Sequence, residues 1–304
     1  MPTRRKAQQP KPQGVALRAV RPGAGLQIAY QRRLEKMLDQ IHASIVWWLA
    51  AEFKKHPPAM AQDASPFDFM LKLVGKLRNR WMKAIDDTAP RLAEYFATAI
   101  HRRSDAVLKK ILKEQGFTIN FQRTKAMNDV WAASVHENVS LIKSIAGTYL
   151  GQVEQTISRA YAQGYDLKRA TDELQDRYKV SRKRAKFIAR DQASKMNSQM
   201  TRVRAQENGL THAIWKHSFS GKEPRRTHVE MDGEPFELAV GMYDPDPKVQ
   251  RHIQCGELIN CRCIARYLVP YGRAWENAMA TRSAGMVKPV KEQKIHKGGP
   301  RGNA

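Results

Sequence analysis

The sequence predicts an α+β protein that is mostly α-helical, with a long helical N-terminal and central region followed by a small C-terminal α+β domain with short antiparallel strands. Two observations predict this fold class. Apolar residues recur at three- and four-residue steps, the period of an amphipathic helix, as far as about Gly209. Beyond it, β-favouring residues such as Ile214 and Trp215 stand between dense turn signals, which is typical of short strands.

Length and charge limit the classes of protein to which the chain can belong. The chain has 304 residues, and its 42% apolar content is sufficient for a packed core. Its 53 Lys and Arg against 29 Asp and Glu give a formal net charge of +24, so polyanions, and nucleic acid first among them, are expected partners. A charge that serves only solubility or acidic protein partners is the alternative. No apolar run approaches the roughly 18 residues of a membrane span, and the basic N-terminus lacks the apolar core of a signal peptide.

Composition divides the chain into four parts. We expect a disordered basic arm at residues 1–25, a helical domain at 26–150, a C-terminal domain at 151–270 and a flexible basic tail at 271–304. The arm carries cations and prolines but no acidic residue, so it cannot bury enough apolar surface to offset its chain entropy. The basic composition of both ends is explained equally well by terminal disorder in solvent and by a role in binding phosphates.

Three helices are predicted in the first half of the chain. The first carries an apolar stripe and ends before Pro57; a second begins with Ser65 as its cap; a third runs from about Thr88 to Gly116. The stripe of the first helix consists of Leu34, Leu38, Ile41, Ile45 and Trp48. Such stripes are expected to form the core.

The helical signals resume near Met127, continue to a stop at Gly164, and are followed by two shorter helices at residues 167 to 178 and 181 to 207. The last of these has small apolar residues on one face and cations on the other. We expect the cationic face to contact a nucleic-acid backbone, with a merely solvated face as the alternative. Its cations are Arg182, Lys183, Arg184, Lys186, Arg190, Lys195, Arg202 and Arg204.

The C-terminal domain is predicted to contain a strand near residues 210 to 219, a hairpin that turns at Asp232-Gly233 and ends near Phe236, and a last strand at residues 261 to 268. All three cysteines lie in this domain. Thiolates and a neutral imidazole are the ligands of tetrahedral zinc sites. The candidate zinc ligands are therefore Cys255, Cys261, Cys263 and His228.

Two interpretations of the cysteines stay open. Cys261 and Cys263 are two residues apart, so on a strand they face one side and can bind one metal. The spacing differs from that of paired Cys-x-x-Cys zinc knuckles, and buried free thiols are the alternative. His252 is a substitute ligand, and His228 could instead bond the backbone of the hairpin. No other cofactor is expected.

The order of residues in this domain resembles the C-terminal domain of tailed-phage minor head proteins, the Mu F-like head morphogenesis family. The resemblance spans about residues 153 to 269. It rests on Trp215, Arg226-Thr227-His228, Asp232-Gly233, a proline-containing loop and Asn260-Cys261-Arg262-Cys263, with an upstream pattern of Gly164, Val180-Ser181, Ala185, Ile188-Ala189-Arg190, Asn197 and Gly209. We interpret Trp215, Arg226, Asp232, Gly233 and Asn260 as residues that specify the shape of the domain.

The resemblance implies a minor capsid protein of a tailed bacteriophage that associates with the portal during procapsid assembly. It implies portal protein, major capsid or scaffold protein and double-stranded DNA as partners, and a location in the virion head, or in the host cytoplasm during assembly. It does not imply an enzyme, and the chain has no phosphate-binding Gly-x-x-x-x-Gly-Lys loop. The alternatives are a nuclease-like effector and a non-specific DNA-binding protein, either of which would use the basic helix and the domain that contains His228, Cys261 and Cys263.

Overall fold

Among the described residues, long helices dominate between residues 24 and 207, and short strands dominate between residues 212 and 270. The computed structural model describes residues 14–55, 66–163, 167–220 and 223–270. Its elements in chain order are β1 (Gly14–Ala16), α1 (Ala24–Lys55), α2 (Pro66–Glu114), α3 (Lys125–Ala162), α4 (Leu167–Glu207), β2 (His212–Lys216), α5 (Arg226–Glu230), β3 (Pro235–Glu237), β4 (Met242–Asp244), β5 (Arg251–Ile253) and β6 (Ile264–Pro270). The predicted fold class is confirmed.

Helices α1 to α4 share one apolar core. The predicted stripe of α1 lies in it, with Leu34, Leu38, Ile41 and Ile45 fully buried and Trp48 packed at its margin. A buried polar chain crosses this core: the Tyr30 hydroxyl donates to Asn138 at 3.0 Å, and the Asn138 amide donates to Gln192 at 2.9 Å. Because each of these groups has a partner, their burial does not leave an unpaired polar atom in the interior.

Helix α2 is one helix of 49 residues, whereas the sequence predicted two. The predicted start near Thr88 lies inside it, and the Thr88 hydroxyl donates back to the Ala84 carbonyl at 2.8 Å. Pro90 removes one backbone donor but does not end the helix. The buried stripe continues without a break through Ile85, Ala89 and Ala93, so tertiary packing outweighs the local stop signal.

Helix α4 is also single, with 41 residues, and the predicted division between residues 178 and 181 is wrong. Ser181, expected as an N-cap, is a buried residue in the middle of the helix. The predicted small inner face is confirmed, because Ala185, Ala189 and Ala193 are fully buried in the helical core. Small side chains allow close approach of the neighbouring helices.

The strands form a four-stranded antiparallel sheet in the order β1-β6-β2-β3 and a separate pair, β4-β5. Strand β6 is central, and β1 pairs with its outer edge through Ala16 opposite Leu268. The predicted last strand at 261 to 268 is shifted, since β6 begins at Ile264. The predicted tight hairpin is wrong, because β2 and β3 do pair but the connection between them contains α5.

A second core lies between the sheet and the ends of α2 and α4. It contains Trp215 and Tyr267 from the sheet, all three cysteines, and Leu108 and Ile111 from α2. Leu17 and Val20 are buried in the same core. Residues 14 to 20 were expected in a disordered arm, but the pairing of β1 with β6 and this burial give them fixed positions.

The expected boundary between residues 150 and 151 falls inside α3, and both sides of it contribute to the helical core through Leu150 and Val153. The predictions for residues 1–13, the Ser65 cap, the Gly164 stop and the tail at 271–304 lie outside the described residues. Within the described ranges, no helix combines the length and the apolarity that crossing a membrane requires.

Candidate metal centre and basic surfaces

A buried cluster of one histidine and two cysteines lies beside the central strand. Short helix α5 supplies His228, and the segment that leads into β6 supplies Cys261 and Cys263. His228 Nδ1 is 3.5 Å from Cys261 Sγ and 3.6 Å from Cys263 Sγ. All three side chains are buried. The structure therefore brings together three of the four residues that the sequence proposed as zinc ligands.

Helix α4 holds the cysteine segment in place. The Ser194 hydroxyl donates to the Cys261 carbonyl at 3.1 Å, and the Asp191 carboxylate accepts from the Asn260 backbone N–H. Arg190 donates to the Asn260 side-chain oxygen at 2.8 Å. Asn260 itself has a φ of 62°, a left-handed conformation that asparagine tolerates better than most residues. These bonds orient the backbone so that both following cysteines meet His228.

Aromatic and carboxylate groups surround the histidine. The Trp215 ring is fully buried and meets the His228 ring edge-on, with 5.3 Å between their centroids. His228 Nε2 is 3.2 Å from an oxygen of Asp244, which is also fully buried. The ring is therefore fixed from two sides. The hydrogen bond from His228 to the hairpin backbone, considered from the sequence, is replaced by this bond to a carboxylate on β4.

The two sulfur atoms of the cluster differ in acidity. A hydrogen bond from Cys263, aided by His228 and opposed by burial, lowers the pKa of Cys261 to about 4. The same shared bond, together with burial, raises the pKa of Cys263. The two sulfurs therefore titrate as a pair, in which Cys261 is the more acidic group.

The other two proposed ligands, Cys255 and His252, do not belong to this cluster. Cys255 is buried in the second core, where burial raises the pKa of its thiol well above the ordinary value. It lies outside the group of mutually close ligand atoms. His252 is on exposed strand β5 and packs against the Tyr243 ring, with 5.5 Å between the centroids. The sequence identified the correct window, but only the structure separates Cys255 from Cys261 and Cys263.

The residues interpreted as shape-determining have different positions. Trp215 is a core residue, and Gly233 has a φ of 86°, which a glycine adopts without strain. Asp232 accepts from the His217 backbone N–H at 2.7 Å and from Lys216 Nζ at 2.9 Å, which ties the α5 turn to β2. Arg226 is almost fully exposed and bonds only Glu230 within α5 among the contacts of the described chain.

The eight cations of α4 do not form one exposed face. Arg204 is only 3% exposed and is held by Asp105 and Glu207. Lys195 is 15% exposed and pairs with Glu137 and Asp191. The expectation of an exposed cationic face is therefore wrong for these two, because carboxylates on α2, α3 and α4 itself pair with them.

The remaining six cations are closer to the surface. Arg182 bonds Glu35 and Asp39 of α1, Arg184 bonds Thr148 and Ser144 of α3, and Arg190 and Arg202 are half-buried. Lys183 and Lys186 are exposed, and neither has an ion pair with any residue that the structure describes. One helical turn separates them, so they form an exposed charged pair on α4.

Sequence reasoning missed a cationic pocket where α4 meets the sheet. Its cavity has a volume of about 480 Å³, and its described lining contains Arg21, Arg190, Lys216 and Arg262 but no carboxylate. Lys216 shares its charge with Asp232. The Nε atoms of Arg190 and Arg262 are buried and have no hydrogen-bond partner among the described residues. Burial lowers the pKa of Arg190, and the charge of Arg262 lowers it further.

Comparison with known proteins finds a family that resembles part of the second half of the chain. Residues 151–266 match the sequence model of the family described as "Phage Mu protein F like protein". Residues 151–266 are similar to the Mu F-like family. The resemblance expected from the motif residues is confirmed for this segment, which contains α4, α5 and all the candidate metal ligands.

Part of the chain also has a curated relative. A protein of Haemophilus influenzae (strain Rd), described as "Uncharacterized protein", is 37% identical over 127 residues, which are 42% of this chain. The match spans 27% of that protein, so the chain covers about a quarter of its length. No solved structure matches the chain.

Proposed function

We propose that the chain is a minor head protein of a tailed bacteriophage, which acts in head morphogenesis by contacting the portal, the major capsid or scaffold protein, and packaged double-stranded DNA. The observation that carries this proposal is the match of residues 151–266 to the Mu F-like family. The proposed location is the phage head, with assembly in the host cytoplasm. The proposed role is structural rather than enzymatic.

Two basic surfaces support the DNA part of the proposal. Lys183 and Lys186 are exposed on α4 without ion-pair partners in the described chain, so a phosphate does not have to displace an acidic side chain there. The cationic pocket offers a second contact, because an anion between Arg190 and Arg262 would relieve the repulsion that lowers the pKa of Arg190. Contacts to phosphates carry no sequence information, so the proposed binding is non-specific.

The assembly role is tested by purifying proheads and virions from a phage that encodes this chain and measuring which proteins remain with it after separation. We expect the chain to co-purify with the portal and the major capsid protein. If washed proheads contain those two proteins but not this chain, the head role is wrong.

The DNA role is tested by measuring affinity for duplex DNA at several salt concentrations. Each phosphate contact contributes roughly 0.9 to the slope of log K against log salt, so the double variant Lys183→Ala/Lys186→Ala should lose about 1.8 of that slope. The control is Lys72→Ala/Lys76→Ala, which removes two exposed cations from α2. Equal losses in both variants would contradict the α4 surface. Cleavage of the DNA that disappears in His228→Ala would replace the structural role with a nuclease.

A further inference from the structure

The cluster of His228, Cys261 and Cys263 has the dimensions of a zinc site. Zinc bonds thiolate sulfur at about 2.3 Å and imidazole nitrogen at about 2.0–2.1 Å in a tetrahedral arrangement, which sets the sulfur-to-nitrogen distance at about 3.6 Å. The two distances from His228 Nδ1 are 3.5 Å to Cys261 Sγ and 3.6 Å to Cys263 Sγ. We propose that these three side chains bind one Zn²⁺ ion through Nδ1 and the two Sγ atoms.

The hydrogen bond on the far side of the histidine supports this proposal. A proton on Nε2 is directed to the buried Asp244 carboxylate at 3.2 Å, which leaves the Nδ1 lone pair directed at the sulfurs. Metal-bound histidines commonly donate their second N–H to a carboxylate in this way, which fixes the tautomer and strengthens the ligand. Asp244 is itself held, because its other oxygen accepts from the Asp246 backbone N–H at 3.0 Å.

Charge balance also favours a divalent ion. Two thiolates neutralise Zn²⁺, so the bound cluster carries no net charge of its own in a buried site. A borderline-soft cation suits this combination of sulfur and imidazole ligands better than Mg²⁺ or Ca²⁺, which prefer oxygen.

The three ligands line a pocket that Cys255 does not line. The three ligands line a cavity of about 510 Å³ together with His217, Ser220 and Asn260, among others. Cys255 lines a different cavity, beside Val20 and Tyr267, and the two cavities share no lining residue. The proposed centre is therefore a three-ligand site whose fourth ligand is water or a group that enters from the pocket. This proposal does not depend on the head-assembly role.

The test uses the full chain, expressed in medium that contains zinc and purified under reducing conditions without chelator. Elemental analysis should find one zinc per chain. Replacing zinc with Co²⁺ should give the visible bands of a tetrahedral site and the ultraviolet charge-transfer band of cobalt bonded to thiolate. Folded chain that contains less than stoichiometric zinc and shows no thiolate band on Co²⁺ titration would overturn the proposal.

The cysteine variants identify the ligands. Cys261→Ser and Cys263→Ser should each lose about half of the charge-transfer intensity, since two thiolates contribute to it, whereas Cys255→Ser is the matched control and should retain all of it. A loss of about one third in all three variants would overturn the open position in favour of a four-ligand site. Asp244→Asn should weaken zinc affinity by roughly 10–100-fold while circular dichroism stays unchanged. Unaltered affinity in that variant would contradict the role of the carboxylate.

Discussion

Replacing Arg204 with alanine should destabilise the protein without removing a DNA contact. The guanidinium was expected on an exposed basic face, but it is buried between α2 and α4. It donates to both oxygens of Asp105 at 2.9 Å, to Glu207 at 3.0 Å and to the Gln122 carbonyl at 2.6 Å. Truncation removes all of these bonds at once.

The expected loss follows from the groups that truncation leaves behind. Removing one partner of a buried ion pair costs about 3–5 kcal/mol. Asp105 and Glu207 are 21% and 18% exposed, so water reaches them in part and the lower end of that range applies. The guanidinium also lies 5.0 Å from the centre of the Phe121 ring, and losing that contact adds about 0.5–1 kcal/mol. We therefore expect a loss of about 3–4 kcal/mol, or more than a hundredfold in the unfolding equilibrium.

Urea denaturation followed by circular dichroism measures this loss as a lower transition midpoint. Arg78→Ala is the matched control, because Arg78 pairs with Glu154 at a similar distance of 2.9 Å but both side chains are more than 40% exposed. Exposed pairs contribute about 0–1 kcal/mol, so the control should barely change the midpoint. Arg204→Ala should keep the salt dependence of DNA binding in its folded fraction. Equal midpoints for the two variants, with DNA affinity lost only in Arg204→Ala, would refute the reasoning.

Two further predictions concern pH and backbone geometry. Burial opposes ionisation of Asp105, but hydrogen bonds from His101 and Arg204 lower its pKa, so this carboxylate contributes stability above its ordinary pKa that is lost as pH falls below about 4. The stability difference between wild type and Asp105→Asn should therefore shrink in acid urea titrations, and a difference that stays constant from neutral pH to about pH 2 would contradict the assignment. Gly256→Ala places a Cβ 2.6 Å from the Ser198 hydroxyl at a φ of 76°, whereas Gly233→Ala meets only open space at a φ of 86°. Both should lose about 1–2 kcal/mol from the left-handed backbone, and thermal unfolding should show a larger loss in Gly256→Ala; equal losses would mean that the loop moves away from α4.

Periodic patterns in the sequence predicted which regions form the long helices. The stripe from Leu34 to Ile45 identified the buried face of α1, and the small residues of α4 identified a closely packed face. Helix ends were predicted less well. Thr88 and Ser181 look like caps locally, but the core stripes of α2 and α4 continue through them, and packing across helices contributes more than one cap.

For the strands, too, the sequence predicted one part of the arrangement and not the other. The change of character at Gly209 located the start of the C-terminal strands, since Gly209 has a φ of 80° and β2 begins three residues later. Nothing local indicated that residues 14 to 16 would pair with β6, because that contact joins positions more than 250 residues apart. The apolar residues Val15, Leu17 and Val20 interrupt the basic segment, but they do not specify β6 as the partner.

The pairing and burial of charged side chains were predicted least well from the sequence. A list of cations on α4 does not tell which of them meet a carboxylate on another element, so Arg204 and Lys183 looked equivalent. The cationic pocket was missed for the same reason. Its arginines come from three separate parts of the chain, before α1, within α4 and before β6.

The sequence by itself determined the fold class, the resemblance of the C-terminal domain to the Mu F-like family and the window that contains the reactive residues, because periodicity, turn chemistry and motif order are local properties. The tertiary structure decided which of those residues meet. It joined His228 to Cys261 and Cys263, separated Cys255 from them and buried Arg204 against Asp105. Distances between side chains depend on how helices and strands pack, and a one-dimensional pattern does not contain them.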